Sequence, residues 1–393
     1  MRYCLELRIT VFAVAHTFEM GDIVKKIIKI TFKIIKWMLI VLLFILVVFL
    51  TVRQVGRTLN NRTPEGGINE TMYVDINGDR QWINIYGQDK DNPVLLYLHS
   101  GPGQATSNED YVVLRKLSKD YTVVNWDQRA CGKSWTSEHN GTKVTVKQLL
   151  SDGEAMTDFL CEHMHKDKIT VMGMSWGSMM GANLVLDHPE KYDAYIGLSF
   201  FEDDIEVLKG FKKYALEWTK DDPELHKIAE NIVTEWSVLD SMDVYERIEM
   251  AQENSKIYDK YTEPDSEFAG DVNVITAMIF NPYWSLMDNY NLFFRQLPKD
   301  LKDMDWYPYL DMVTYGGRKD GSLAGRYDYE VPFYMVNGDT DYTICPSVVK
   351  DYFSRVNAPD KAYYEVSGGH YMPMLHSERL AEIIHEIASK SEQ

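Results

Sequence analysis

From residue 71 onward, short apolar runs alternate with longer stretches of helical periodicity. The runs are VLLYLH (94–99), TVVNW (122–126), ITVMGM (169–174), YIGLSF (195–200), VPFYMV (331–336) and AYYEV (362–366). Runs this short, apolar almost throughout, suit strands buried on both faces of a parallel sheet. Ahead of them, MYVDI and RQWINIY (72–86) alternate with a period of two around Asn77-Gly78. An Asn-Gly pair between two such segments predicts a tight antiparallel hairpin. Helix-like stretches near 107–119, 144–165, 176–188, 347–356 and 377–389 separate the runs. An antiparallel hairpin followed by βα units predicts an α/β fold: a mostly parallel eight-stranded sheet with helices on both faces.

The alternation breaks once. Residues 201–330 hold no comparable apolar runs but carry helix-like segments rich in aromatics, among them Trp218, Trp236, Trp284 and Trp306. An insertion between two strands, at the sheet end where ligands bind, predicts a helical cap. The core is then split into 71–200 and 331–393.

A different pattern governs the N-terminus. Trp37 to Val52 is sixteen residues without a charge, closed by Lys36 and Arg53. At ~1.5 Å per residue it spans roughly 24 Å, slightly short of a ~30 Å hydrocarbon core, and Ile34 and Ile35 extend it. Lys26, Lys29, Lys33 and Lys36 recur at helical spacing ahead of it, a basic stripe suited to membrane lipid of an anionic leaflet. The reading is a cytoplasmic basic segment (1–36), a single transmembrane anchor (37–52) and a polar linker (53–70). Seven of the nine Lys/Arg in residues 1–57 precede the apolar run, which places the N-terminus inside and the remainder outside. A cleaved signal peptide is the rival; no small-residue cleavage pattern follows the run.

Composition, with 45% apolar and 25% charged residues, is that of an ordinary globular chain. The net charge of −18 combines +6 over residues 1–57 with −24 over the rest. A body this acidic repels a polyanion, so no nucleic-acid partner is expected. Cys4, Cys131, Cys161 and Cys345 form no C-x-x-C pair and no metal-like spacing with histidine, and are read as free thiols.

The chemistry begins where ITVMGM runs into Gly173-Met174-Ser175-Trp176-Gly177-Ser178 and a helix-like stretch. This is G-x-S-x-G between a strand and a helix, the nucleophile elbow of the α/β-hydrolase fold. A serine hydroxyl needs a base, and the base needs an orienting acid. In this fold they follow in the order acid, then histidine. VPFYMV ends in Asn337-Gly338-Asp339-Thr340-Asp341, so Asp341 is the candidate acid and Asp339 the alternative. AYYEV ends in Ser367-Gly368-Gly369-His370, which makes His370 the candidate base. Two backbone N–H donors must hold a developing oxyanion. The candidates are Trp176, directly after the serine, and Gly101 in the loop after VLLYLH, with Ser100 second.

HSGPG (99–103), NWDQRACGKS (125–134) and GMSWGS (173–178) resemble the proline iminopeptidase group of α/β-hydrolases, whose patterns run H-G-G-P-G, W-D-Q-R-G-x-G-x-S and G-G-S-W-G-S. Ser100, Ala130 and Met174 depart from it, each standing where the group has glycine. The resemblance implies removal of an N-terminal residue, often proline, from short peptides. It also implies acidic side chains near the cap that hold the free amine; Glu202, Asp203 and Asp204 are the candidates, the alternative being an ordinary acidic helix start. Under the resemblance Asp127 and Arg129 organise a loop. An aminopeptidase acting on a small peptide is therefore the leading expectation, with a carboxylesterase or amidase acting on an ester or amide as runner-up. A non-catalytic binding module is disfavoured by the complete Ser, Asp and His set. No metal and no organic cofactor is called for.

Overall fold

The computed structural model describes residues 2–262, 270–298 and 301–391. It divides into two compact units, Met1–Leu59 and Asn60–Gln393.

The described residues of the first unit lie within a single helix, α1 (Arg2–Asn60). Within it, Val24–Asn60 is long and apolar enough to cross a membrane, with a mean hydropathy of 2.9 over its best window and none of that window buried. The expected linker at 53–70 is mostly not a linker. α1 runs on through RQVGRTLN to Asn60 and the first strand opens at Ile68. Gly56 costs a helix only ~1 kcal/mol, so the polar stretch stays helical to Asn60, and Pro64 with the Gly66-Gly67 pair keeps the seven residues that follow irregular.

The second unit is an eight-stranded sheet in the order β1-β2-β4-β3-β5-β6-β7-β8. β1 (Ile68–Ile76) and β2 (Asp79–Gly87) form the antiparallel hairpin, and both turn residues take the positive φ that such a turn requires, 52° at Asn77 and 75° at Gly78. β2 pairs antiparallel with β4 (Thr122–Asp127). The remaining pairings, through β3 (Val94–Leu98), β5 (Ile169–Met174), β6 (Tyr192–Leu198), β7 (Phe333–Gly338) and β8 (Lys361–Val366), are parallel.

Parallel strands need crossovers, and helices supply them. α2 (Tyr111–Leu117), α3 (Val146–Met164) and α4 (Trp176–Asp187) lie between β3 and β6. Their placement explains why β3 is apolar at every position. Leu96 and Leu98 pack with the residues of α3 and α4, while Leu95 and Tyr97 pack with those of α2 on the other face. Between β6 and β7 the chain is helical: α5 (Asp204–Trp218), α6 (Pro223–Glu230), α7 (Trp236–Leu239), α8 (Val244–Tyr261), α9 (Val274–Phe280), α10 (Leu286–Asn291) and α11 (Leu310–Val313). A π-helical turn, Leu292–Gln296, continues α10. The α5, α6 and α8 part has its own apolar cluster, including Ile205, Leu208, Phe211 and Ile257. After β7 come α12 (Pro346–Arg355), α13 (Met372–Leu375) and α14 (Ser377–Ser391). Cys131 and Cys345 are buried free thiols and Cys161 a half-buried one; the side chain of Cys4 lies outside the described residues.

Candidate active site

β5 ends one residue before Ser175, and α4 begins one residue after it. Between them Ser175 adopts φ 53° and ψ −117°, a conformation that side-chain-bearing residues rarely take and that surrounding structure must enforce. Its N–H donates to Leu198 O at 2.9 Å, tying the elbow to β6. The flanking glycines are required by close approach: a Cβ on Gly173 would collide with the Gly177 carbonyl, and one on Gly177 with the Leu98 carbonyl. Trp176 is the first residue of α4, so its N–H has no acceptor within the helix and sits at the positive end of the helix dipole.

His370 follows β8 and Asp341 follows β7. His370 Nδ1 lies 2.9 Å from Asp341 Oδ2, and both side chains are buried. The other Asp341 oxygen accepts from the N–H groups of Thr343 (3.1 Å) and Ile344 (3.3 Å), which fixes the carboxylate. Ser199 Oγ donates to His370 O at 2.6 Å and steadies the histidine loop. Asp339 is exposed and accepts instead from Gly368 N–H at 2.8 Å.

Ser175 and His370 open into one cavity of about 760 Å³, which Gly101 and Ser100 also line. Gly101 sits at φ 133°, open to glycine and strained for other residues. Behind it His99 is fully buried, its Nδ1 2.6 Å from Ser100 O while its Nε2 accepts from Gln128 N–H. Burial lowers its pKa to about 4, so the ring is a neutral brace for the loop. Asp127 accepts from Lys133 N–H at 2.7 Å, and burial raises its pKa to about 7. Arg129 forms a two-point ion pair with buried Asp152, at 2.7 and 2.9 Å, and donates to Ile76 O. Both brace loops, and neither lines the cavity.

The three acids considered for a substrate amine part company. Asp203 caps α5, accepting from Ile205 N–H (2.7 Å) and Glu206 N–H (3.2 Å). Glu202 is buried away from the cavity, and burial pushes its pKa up to about 8. Asp204 alone lines the cavity, and it is paired with Arg318 at 2.5 and 3.2 Å. Sequence reasoning missed much of the polar lining, including Asn108, Glu109, Asp110 and Arg318. Asp110 is buried against Thr106 Oγ1, and burial pushes its pKa up. Asn108 is buried and its side-chain nitrogen has no hydrogen-bond partner. Glu109-Asp110 does stand in sequence as an acid pair directly after the oxyanion loop, the only available signal. Among the described residues no cluster of His, Cys, Asp and Glu could hold a metal ion.

A family profile described as alpha/beta hydrolase fold matches residues 93–228. A probable aminopeptidase of Bacillus subtilis, YbaC, is 34% identical over 128 residues, covering 32% of this chain and 40% of that protein. A proline iminopeptidase of Lactobacillus helveticus is 30% identical over 122 residues, 30% of this chain and 40% of the relative. The match thus spans about two fifths of these relatives' length. Among solved structures, a proline iminopeptidase of Mycobacterium smegmatis aligns with a TM-score of 0.52 at 16% identity, over 82% of this chain and 98% of its own. VinJ aligns with the same TM-score at 17% identity and the same coverage. Motif, strand order and these likenesses agree: the chain has the α/β-hydrolase fold and, over about a third of its length, is similar in sequence to proline iminopeptidases.

Proposed function

We propose that the chain is a membrane-tethered serine hydrolase that removes N-terminal residues from short peptides, with Ser175 as nucleophile, His370 as base and Asp341 as its orienting acid. One observation carries the reading: Ser175 on its strained elbow shares a cavity with His370, whose far nitrogen is held by buried Asp341. Hydrogen bonding of Nδ1 to the carboxylate leaves Nε2 unprotonated and able to accept the serine proton. Oγ then attacks the substrate carbonyl carbon. Its oxygen, now negative, is received by the N–H groups of Trp176 and Gly101, each such donor being worth on the order of 10²–10³ in rate. His370 passes its proton to the departing amine, leaving an acyl-enzyme that water hydrolyses by the same steps.

The names of the relatives support a peptide substrate. So do the three carboxylates lining the cavity, Glu109, Asp110 and Asp204, since a buried ammonium needs an acid to pair with. Of Glu202, Asp203 and Asp204 only Asp204 lines the cavity, where an amine would have to share it with Arg318, and the helical insertion at 201–330 is read as the cap over it. The second reading, a carboxylesterase, is favoured by the apolar remainder of the lining, which includes Val113, Phe201, Val207 and Met374. Comparing an aminoacyl arylamide with its N-acetyl form separates the two. An aminopeptidase loses most of its rate on capping, because the ammonium that its acids recognise is gone. Equal rates on both would promote the esterase. The anchor reading places the N-terminus in the cytoplasm and the hydrolase outside, on the strength of the lysines before the apolar run.

A further inference from the structure

We propose that the outward face of α10 and its π-helical extension docks on the surface of a lipid bilayer, at the mouth of the candidate catalytic cavity. Leu286, Met287, Tyr290, Phe293 and Phe294 are between 46% and 62% exposed. Their spacing is the apolar stripe of an amphipathic helix, a pattern that normally faces a core. Tyr290 and Phe294 stack with ring centroids 5.1 Å apart, so the stripe is one continuous face. The segment is pinned from behind. Leu292 and Gln296 are buried, and Gln296 Nε2 donates to Gly132 O at 2.8 Å. At its start Ser285 and Asp288 form a reciprocal cap, and Lys133 pairs with Asp288 at 3.2 Å. The stripe is therefore held outward by the fold.

Bilayer lipid is the occupant for three reasons. The same chain carries a helix long and apolar enough to cross a membrane, and only residues 61–67 separate that helix from β1. At ~3.5 Å each these seven residues reach about 25 Å, so the body of a tethered chain cannot leave the bilayer's vicinity. The composition is interfacial: Tyr and Phe with Arg295 over the Trp135 ring at 5.3 Å, and the single acid of the segment, Asp288, neutralised by Lys133. Finally, Phe293 is both exposed and part of the cavity lining, and its neighbours Leu292, which is buried, and Leu297, which is half-buried, line the cavity beside it. The apolar surface thus leads from the outside into the site, and substrates with an apolar portion would enter from the interface.

The docking rests on the anchor reading, and the test separates the two. The full chain, with Cys4 and Cys161 replaced by serine, is reconstituted in phosphatidylcholine–phosphatidylglycerol vesicles. Nitroxide labels are placed by Met287→Cys, Tyr290→Cys and, as a water-facing control on α12, Ser354→Cys. Flotation of the vesicles tests the anchor; a chain that stays behind removes the anchor and the docking together. In floated vesicles, collision of the label with oxygen, which dissolves in lipid, is compared with collision with a water-soluble nickel chelate. Docking gives an oxygen-to-nickel ratio several-fold higher at 287 and 290 than at 354. Equal ratios at all three positions overturn it. Protection of 287 and 290 from both reagents also overturns it, in favour of a second copy of the chain covering the stripe.

Discussion

Replacing Asp341 with asparagine isolates the role of one hydrogen bond. The two side chains have the same shape, and an asparagine oxygen can still accept from Thr343 and Ile344 N–H. The amide nitrogen is then directed at His370 Nδ1, 2.9 Å away in the native chain. As a donor it forces Nδ1 to become the acceptor and moves the ring proton to Nε2. A histidine protonated at Nε2 cannot accept from Ser175. The corresponding change in a protease triad costs on the order of 10⁴ in kcat, which is about 5 kcal/mol of transition-state stabilisation. Asp339→Asn provides the contrast. That side chain is exposed and accepts one bond, from Gly368 N–H, so its replacement should cost at most ~1 kcal/mol of stability and leave turnover within a few-fold. Steady-state kinetics on an aminoacyl arylamide and an acyl ester, with circular dichroism to check folding, decide the matter. A mild Asp341→Asn beside a crippling Asp339→Asn would refute the assignment.

Ser175→Ala and His370→Ala should each lower kcat by on the order of 10⁶ without altering the circular dichroism spectrum, since residues acting as a unit fail together. Glu202→Gln should raise the melting temperature more at pH 9 than at pH 5. The native carboxyl has its pKa raised by burial from 4.5 to about 8, so its protonated form stabilises the fold fully below about pH 4.5 and this contribution is lost as pH rises through about 8; equal gains at both pH values would contradict the burial account. Protease added to intact cells should cut the body or the 61–67 segment, whereas cleavage only after lysis would reverse the orientation.

What could be read from the sequence was whatever local chemistry dictates. Asn77-Gly78 encodes its own turn, and the strands β3 to β7 are legible because burial on two faces leaves no polar alternation, while the edge strand β8, with only Val366 buried, is legible by its tyrosines and valine alone. Ser175 is legible because the elbow needs glycine on either side of it. The amine candidates were not. Glu202, Asp203 and Asp204 are consecutive, yet one is buried behind the site, one caps a helix and one meets Arg318 from 114 residues away. Consecutive residues diverge at a helix start, and no pattern along the chain records which of them faces a cavity. Asn108 and Arg318 were invisible for the same reason, their meeting being a product of tertiary packing. The continuation of α1 through 53–60 is not legible because polarity, which marks a linker by composition, does not stop a helix.

The buried carboxyls have a consequence for how the molecule carries charge. A formal charge of −18 counts every Asp and Glu as ionised. With Glu202 at about 8 and Asp110, Asp127 and Asp204 each at about 7, the folded chain holds roughly two extra protons at neutral pH that an unfolded chain, with ordinary acids, would release. Folding is then a proton-consuming reaction in this protein. Its unfolding enthalpy measured at pH 7 will differ between phosphate and Tris by the ionisation heat of the buffer that takes up those protons. Calorimetry in the two buffers therefore counts the protonated acids without reference to any assay of activity.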